Sequence, residues 1–260
     1  MRAYLHAKSF NQSKCRYTKH FGATVCSRSS ISRTGRFLYG YWTTTILLMA
    51  LGLVMLVVYT PNESSFGSVQ KIFYLHLPSA ITMFLAASTI FISSVGYLWS
   101  RSIWWDDLAH ASGEVTVLLC TVVLFTGMIW GKSEWGHWWT WSPRLTFSLV
   151  LWGLYAVYLV VRHMIADQTR RATICAVYGL VAFIDVPLVY VSVKLMPDVH
   201  PSSIKLEPSM QLTLLVWSVF IPLLMSGLIY TRFRLCQRIR MLRFQHSNNQ
   251  IHTDLGGVSS

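Results

Sequence analysis

A short segment of this chain carries four tryptophans whose spacing could form a surface for a ligand. They are Trp135, Trp138, Trp139 and Trp141. Tryptophan is enriched at membrane interfaces, where it anchors a protein in the bilayer. Four within seven residues, followed by Arg144, favour instead a surface built for a large, flat, apolar molecule with carboxylates at one edge.

Two histidines, His76 and His200, lie near the ends of apolar segments and could provide ligands for iron. Neutral imidazole binds iron well, and two of them beside an aromatic surface would supply both axial ligands of haem. The Trp faces would cover the porphyrin, and Arg144 would bind a propionate. The chain has no C-x-x-C-H motif, so this would be haem b, bound without a covalent bond. Plainer interpretations stay open, namely polar histidines at headgroup level, a Trp belt, and Arg144 as an interfacial anchor.

An acidic residue, Asp185, lies within a segment that otherwise has the composition of a membrane span. A carboxylate inside a membrane is costly, and such residues usually have a function. Pro187 should kink this helix and release a backbone carbonyl. Asp185 either takes part in a functional site or hydrogen-bonds a neighbouring helix and holds the bundle together.

The composition is that of an integral membrane protein. Charged residues make up 12% and hydrophobic residues 53% of the chain, and the mean hydropathy is +0.44. Backbone polar groups in lipid must be satisfied within each segment, so we predict an all-α fold with a bundle of six transmembrane helices. The candidate spans, at about 20 apolar residues each, are roughly residues 41–60, 78–99, 114–131, 146–162, 173–193 and 212–231.

The basic residues predict the orientation of the bundle. Most of the 22 Lys and Arg residues precede the first span, follow the last one, or lie in loops on the same side. The positive-inside rule then places both termini in the cytoplasm, and the Trp segment, His76 and His200 at the outer face. The basic ends would contact anionic lipids rather than nucleic acid. Asp106, Asp107 and Glu114 fall on the inner side, where we expect a solvated boundary.

Three regions follow from these patterns. They are a basic lead at residues 1–40, a six-helix domain at 41–232 with a Trp-rich outer loop at 132–145, and a basic and polar tail at 233–260. We expect the lead to be a disordered cytoplasmic segment, although its composition also fits an organellar transit peptide. The location we predict is a bacterial inner membrane, with the mitochondrial inner membrane as the alternative.

These motifs resemble those of a known family. The string WGHWWTWSPRLT at 135–146 is similar to the WWD motif of the haem-handling proteins of cytochrome c maturation, and in particular to haem exporter protein C. The strings IFYLHLPSA at 72–80, WWDDLA at 104–109 and DVP at 185–187 agree with that family in kind and order. His200 stands at the position of the family's second histidine, and the likeness covers nearly the whole six-helix region.

The resemblance implies a function in haem presentation. Members of the family hold haem at the outer face of the membrane between two histidines, which here would be His76 and His200. They pass it to a periplasmic haem chaperone that binds it covalently, with an ABC-type complex and a small single-span protein as partners. Arg144 would bind a propionate, and transfer would resemble haem-lyase chemistry rather than conventional catalysis. The surface against the macrocycle would consist of Trp135, Trp138, Trp139 and Trp141.

The chain departs from the family at one position of the Trp motif. The family has Asp after the last Trp, whereas Ser142 followed by Pro143 stands here. Ser accepts a hydrogen bond but carries no charge, so a haem binder with impaired transfer is one alternative. A permease for a small solute, with a midplane site at Asp185, is a second. A structural subunit, for which the Trp loop is only an anchor, is a third.

Overall fold

The computed structural model describes residues 33–61, 67–195 and 206–256, and the regular elements of these residues are helices. The chain divides into one unit of residues 1–37 and a second unit of residues 38–260. Of the first unit, the structure describes only the beginning of the first helix, so the predicted disorder of the basic lead falls largely outside the described residues.

Seven α-helices follow one another along the described part of the chain. A π-helical turn at Met55–Tyr59 extends the first of them, and a 3₁₀ turn at Ser68–Ile72 leads into the second. The α-helices are α1 (Arg33–Val54), α2 (Phe73–Ser100), α3 (Ile103–Trp135), α4 (Pro143–Met164), α5 (Gln168–Ala182), α6 (Asp185–Leu195) and α7 (Pro208–Gly256).

Six helical segments within the described residues are long and apolar enough to cross a membrane. Each overlaps one of the spans predicted from the sequence, which confirms the six-helix, all-α prediction. The cytoplasmic location of both termini stays a prediction. The segments are Gly35–Tyr59, Ser68–Ser100, Ile103–Trp135, Pro143–Met164, Gln168–Ser192 and Pro208–Arg243.

The helices extend beyond the apolar segments that predict them. α1 begins at Arg33, so the last residues of the region assigned to the basic lead are helical. α7 continues to Gly256, through most of the polar tail. Arg, Gln and Leu, which are frequent in this tail, are good helix formers, and a helix need not end where the hydrocarbon core ends.

The fifth span is broken close to the position where the sequence predicts a kink. α5 ends at Ala182 and α6 begins at Asp185, with a turn at residues 183–184 between them. Pro187 lies in the first turn of α6, where backbone N–H groups have no intrahelical acceptor. The missing N–H of proline therefore costs no hydrogen bond there. Asp185 therefore opens a helix, at the end whose partial positive charge favours a carboxylate.

The core of the bundle is centred on α2 and α3, which make the most extensive helix–helix contact. α5 and α7 pack against this pair. Ile90, Leu119 and Leu151 are fully buried there. Small residues let the helices approach closely, as in other membrane bundles. A Cβ atom at Gly179 would lie 2.7 Å from Ser94 Oγ, so a larger residue would push α5 away from α2.

Three acidic residues near the start of α3 pair with arginines of other helices. Asp106 accepts hydrogen bonds of 2.7 and 2.9 Å from Arg162 of α4, and both side chains are buried. The other two pairs, with arginines of α7, are Asp107 with Arg240 and Glu114 with Arg232. The prediction that these three carboxylates form a solvated boundary is wrong, because they are buried or half-buried against neighbouring helices. The sequence did not indicate this, since no local spacing links the carboxylates to their arginine partners.

Candidate functional site

His76 lies in the first turn of α2 and is held by a hydrogen bond to α3. Its Nδ1 lies 2.9 Å from Thr126 Oγ1. The Thr126 hydroxyl donates its hydrogen to the carbonyl of Val122, 2.6 Å away. A hydroxyl has one hydrogen, so a Thr126 hydroxyl that donates to Val122 can accept a hydrogen bond from an Nδ1–H of His76. The neutral ring then carries its lone pair on Nε2, which is the tautomer that binds a metal through that atom.

α3 contacts His76 and also carries the start of the Trp segment. A Cβ atom at Gly127 would lie 3.3 Å from His76 Cε1, so the absence of a side chain there leaves room for the imidazole. One turn later, Trp130 is buried, and its ring centroid lies 6.2 Å from that of Trp135. Thr126 and Trp135 are about 13 Å apart along the helix, at a rise of about 1.5 Å per residue. A porphyrin is of comparable width.

The Trp segment begins at the end of α3. Trp135 is the last residue of that helix, and Gly136 takes the left-handed conformation, with φ of 74°, that ends it. Lys132 fastens this turn by donating to the carbonyl of Gly136 at 2.8 Å, with its ammonium 6.0 Å from the centroid of the Trp138 ring. The connection to α4 is shorter than the predicted loop at 132–145, because the helices extend into both of its ends.

The other tryptophans of the segment present aromatic surface beyond the helix. Trp138 is 59% and Trp141 is 75% exposed. Trp139 packs edge-on against Trp141, with ring centroids 5.7 Å apart. Trp139 Nε1 is buried, and it has no hydrogen-bond partner among the described residues. Exposed indole rings that lie side by side form an apolar surface of the kind that marks a ligand or partner site.

The start of α4 carries groups that favour an anion. Ser142 occupies the N-cap position, and Pro143 is the first residue of the helix. Arg144 follows in the same turn and is partly buried. A helix N-terminus carries a partial positive charge, to which Arg144 adds a full one. A carboxylate would be stabilised here, which is what the prediction that Arg144 binds a haem propionate requires.

Ser142, which stands where the family motif has aspartate, occupies the N-cap position of α4 without a side-chain capping hydrogen bond. Ser and Asp are similarly favourable at this position, because a side-chain oxygen of either can accept from the first backbone amides of the helix. The Ser142 hydroxyl is buried and has no partner among the described residues. Its carbonyl accepts from the amide and the hydroxyl of Thr146, at 3.0 and 2.9 Å. The helix start is therefore kept, while the charge is lost.

His200 lies between residues 196 and 205, outside the described residues, so its role as the second iron ligand stays a prediction. α6 ends at Leu195 and α7 begins at Pro208. The alternation of six spans places both of these helix ends at the end of the bundle that holds His76 and the Trp loop. The described residues contain no group of three or more His, Cys, Asp or Glu that could hold a bare metal ion.

Asp185 is separated from this end of the bundle by the length of α6, about 15 Å. Its side chain is buried, and Oδ2 has no hydrogen-bond partner among the described residues. The hydroxyl of Tyr155 in α4, which is close enough to interact electrostatically, is also buried without a described partner. Asp185 thus lies well below the tryptophans at the end of the bundle, and its function stays a prediction.

Thr126 and Gly127 contact the ring of His76, and the sequence analysis missed both of them. They hold the ring of His76 from a position 50 residues along the chain. The available signal was a polar residue beside a glycine in an otherwise apolar span, one turn before Trp130. That signal does not identify the partner, because the contact depends on how two helices pack.

Comparisons with known proteins agree with these motifs. The profile of the family described as Heme exporter protein C matches residues 23–254. The chain is 28% identical to Heme exporter protein C of Bradyrhizobium diazoefficiens over 240 residues, which cover 88% of this chain and 91% of that protein. It is also 28% identical to Heme exporter protein C of Escherichia coli K12 over 188 residues, 70% of this chain and 76% of that protein.

A relative with a different name shares part of the chain. The cytochrome c biogenesis protein CcsA of Synechococcus sp. WH7803 is 36% identical over 111 residues, which cover 43% of this chain and 33% of that protein. The family profile, in contrast, matches almost from end to end, and the six-helix fold agrees with it. The chain therefore belongs to the heme exporter protein C family.

Proposed function

We propose that this protein binds haem b non-covalently between His76 and His200 and presents it at the outer face of the membrane to a periplasmic haem chaperone. Membership of the family establishes the broader role, which is haem handling in cytochrome c maturation by a multi-pass protein of the inner membrane. The identity of the ligands, the face of the membrane and the transfer to a chaperone are the proposal.

The observation that carries the proposal is the hydrogen bond from His76 to Thr126. It holds the imidazole beside α3, and in the tautomer with hydrogen on Nδ1 the Nε2 atom would bind iron. A polar residue that merely sits at headgroup level would not require an oriented ring at the start of a transmembrane helix. α3 also carries Trp135 as its last residue, so one helix positions both the ring and the start of the aromatic surface.

The tryptophans and Arg144 would orient the bound haem. The exposed rings of Trp138 and Trp141 would cover part of the macrocycle and exclude water. Arg144 and the N-terminus of α4 would bind a propionate, which would leave the vinyl edge open to a nucleophile of the chaperone. The protein would supply position and exclusion of water, while the bond-forming chemistry would belong to haem and chaperone. An ABC-type complex and a small single-span subunit would be its further partners.

The test is an absorption spectrum of the full chain purified in detergent, first oxidised and then reduced. Six-coordinate haem should give a Soret band and sharp α and β bands after reduction. His76→Ala and His200→Ala should each remove most of the co-purified haem. His163→Ala is the matched control, because His163 is exposed at the other end of the bundle and should leave haem content unchanged. Unchanged haem in both ligand variants would overturn the proposal.

A permease function has one observation in its favour, which is the broken fifth span with Asp185 buried beside the break. It predicts flux of a small solute into liposomes that Asp185→Asn abolishes, with no Soret band in the purified protein. Haem presentation predicts the opposite pattern. Asp185→Asn would then leave the Soret band in place.

A further inference from the structure

A large cavity lies at the end of the bundle opposite to the Trp loop. Its volume is about 1230 Å³, and it is lined by the ends of α2 and α4, the starts of α3 and α5, and the later part of α7. Along α3, Asp106 at the cavity and Trp135 are about 43 Å apart, at about 1.5 Å per residue. This distance exceeds the ~30 Å of a hydrocarbon core, so the cavity lies at the other membrane interface.

The cavity carries positive charge that the carboxylates of the described residues do not neutralise. Three of its arginines are paired with the carboxylates of Asp106, Asp107 and Glu114, as described above. The other three have no carboxylate partner among the described residues. The six arginines of the lining are Arg101, Arg162, Arg171, Arg232, Arg240 and Arg243.

The three unpaired arginines make only weak contacts of their own. Arg101 donates to the hydroxyl of Thr173 at 3.2 Å, and Arg171 makes a long contact of 3.4 Å with the carbonyl of Ile165. Arg162 adds an unused donor, because its side chain is 6% exposed and its Nε has no hydrogen-bond partner among the described residues. Several guanidinium groups around one cavity, with N–H donors that are not used within the protein, favour an anion that accepts several hydrogen bonds. Phosphate is the best such anion.

The position of the cavity favours a lipid as the source of that phosphate. Trp99 is 90% exposed near the end of α2, and Trp104 at the start of α3 is 42% exposed. Such tryptophans lie at the level of the headgroups. Few aliphatic side chains line the cavity, so it does not suit a buried macrocycle. We propose that it binds the headgroup of an anionic phospholipid, with Arg101, Arg171 and Arg243 contacting the phosphate.

The proposal is tested by native mass spectrometry of the full chain titrated with phosphatidylglycerol, with phosphatidylcholine for comparison. The triple variant Arg101→Gln, Arg171→Gln, Arg243→Gln removes the three unpaired charges. A matched control removes three exposed arginines at the same end that do not line the cavity. These are Arg170→Gln, Arg234→Gln and Arg238→Gln. Sodium pyrophosphate, titrated as a competitor, tests for a soluble phosphate compound as the natural ligand.

We expect the cavity variant to bind phosphatidylglycerol about 100-fold more weakly, which corresponds to about 2.7 kcal/mol, and the control less than about fivefold more weakly. Equal losses in both variants would overturn the proposal, because they would indicate diffuse attraction to the basic end. Displacement by pyrophosphate, without preference for the anionic lipid, would assign the site to a soluble ligand and overturn the lipid assignment.

The site is independent of the haem proposal, and each can fail alone. The Soret band reports the opposite end of the bundle and should be the same in the cavity variant, the control and the unaltered chain. If the glutamine variant does not fold, the corresponding triple change to Lys keeps the charge and removes the fork-shaped donor group. It should weaken lipid binding by about tenfold, and undiminished binding there would count against specific phosphate contacts.

Discussion

Thr126→Val should weaken haem binding without altering the rest of the bundle. Val has nearly the shape of Thr, so the change removes the hydroxyl that accepts from His76 Nδ1 and leaves the packing in place. The same hydroxyl also donates to the carbonyl of Val122, which already accepts within the helix. The selective consequence is therefore a ring that is no longer held in one orientation and one tautomer.

Two independent magnitudes agree on the size of this effect. A buried polar group left without its partner costs about 1–3 kcal/mol. Loss of a group that orients a metal-binding histidine typically lowers metal affinity about 10- to 100-fold, which corresponds to about 1.4–2.8 kcal/mol. We therefore expect the dissociation constant for haem to rise about 10- to 100-fold in Thr126→Val, less than the near-complete loss expected for His76→Ala.

The assay is a titration of haem into the haem-free protein in detergent, followed at the Soret band. Thr116→Val is the matched control, because Thr116 lies in the same helix, is fully buried and donates to a carbonyl four residues earlier, at 2.8 Å. It should change haem affinity by less than about twofold. Thr126→Ser, which restores the hydroxyl, should recover most of the affinity. Wild-type affinity in Thr126→Val, or an equal loss in Thr116→Val, would refute the reasoning.

Three further predictions follow from the same contacts. Gly127→Ala should lower haem affinity about tenfold, because its methyl would stand 3.3 Å from the His76 ring, and unchanged affinity would contradict this placement. Asp106→Asn should lower the free energy of unfolding by about 3–5 kcal/mol, since it leaves Arg162 buried without its counter-charge. Thermal unfolding checks this against the exposed Glu134→Gln, and equal Tm values would contradict it. Ser142→Asp should keep haem content within about twofold because both residues suit an N-cap, and a larger change would show that the charge itself matters.

Features that depend on local composition could be predicted from the sequence. The six spans follow from runs of apolar residues, and the break near Asp185 follows from a proline and a carboxylate in one span. Pairings between distant segments could not. The bond of His76 to Thr126 joins α2 to α3, and that of Asp106 to Arg162 joins α3 to α4. Each depends on the rotation and depth of one helix against another, which hydropathy does not determine.

α3 turns residues that are distant in the chain into one site. Its start is fixed to α4 by the buried pair of Asp106 and Arg162, and its end is closed by Lys132 on the carbonyl of Gly136. The relative depth of α3 and α4 is thereby set, and with it the short loop that presents the tryptophans. Thr126 lies between these two anchors, so the ring of His76 is held at a fixed distance from the aromatic surface. A buried ion pair is costly, and the proposed haem site, which needs this fixed distance, would give a physical reason for its presence.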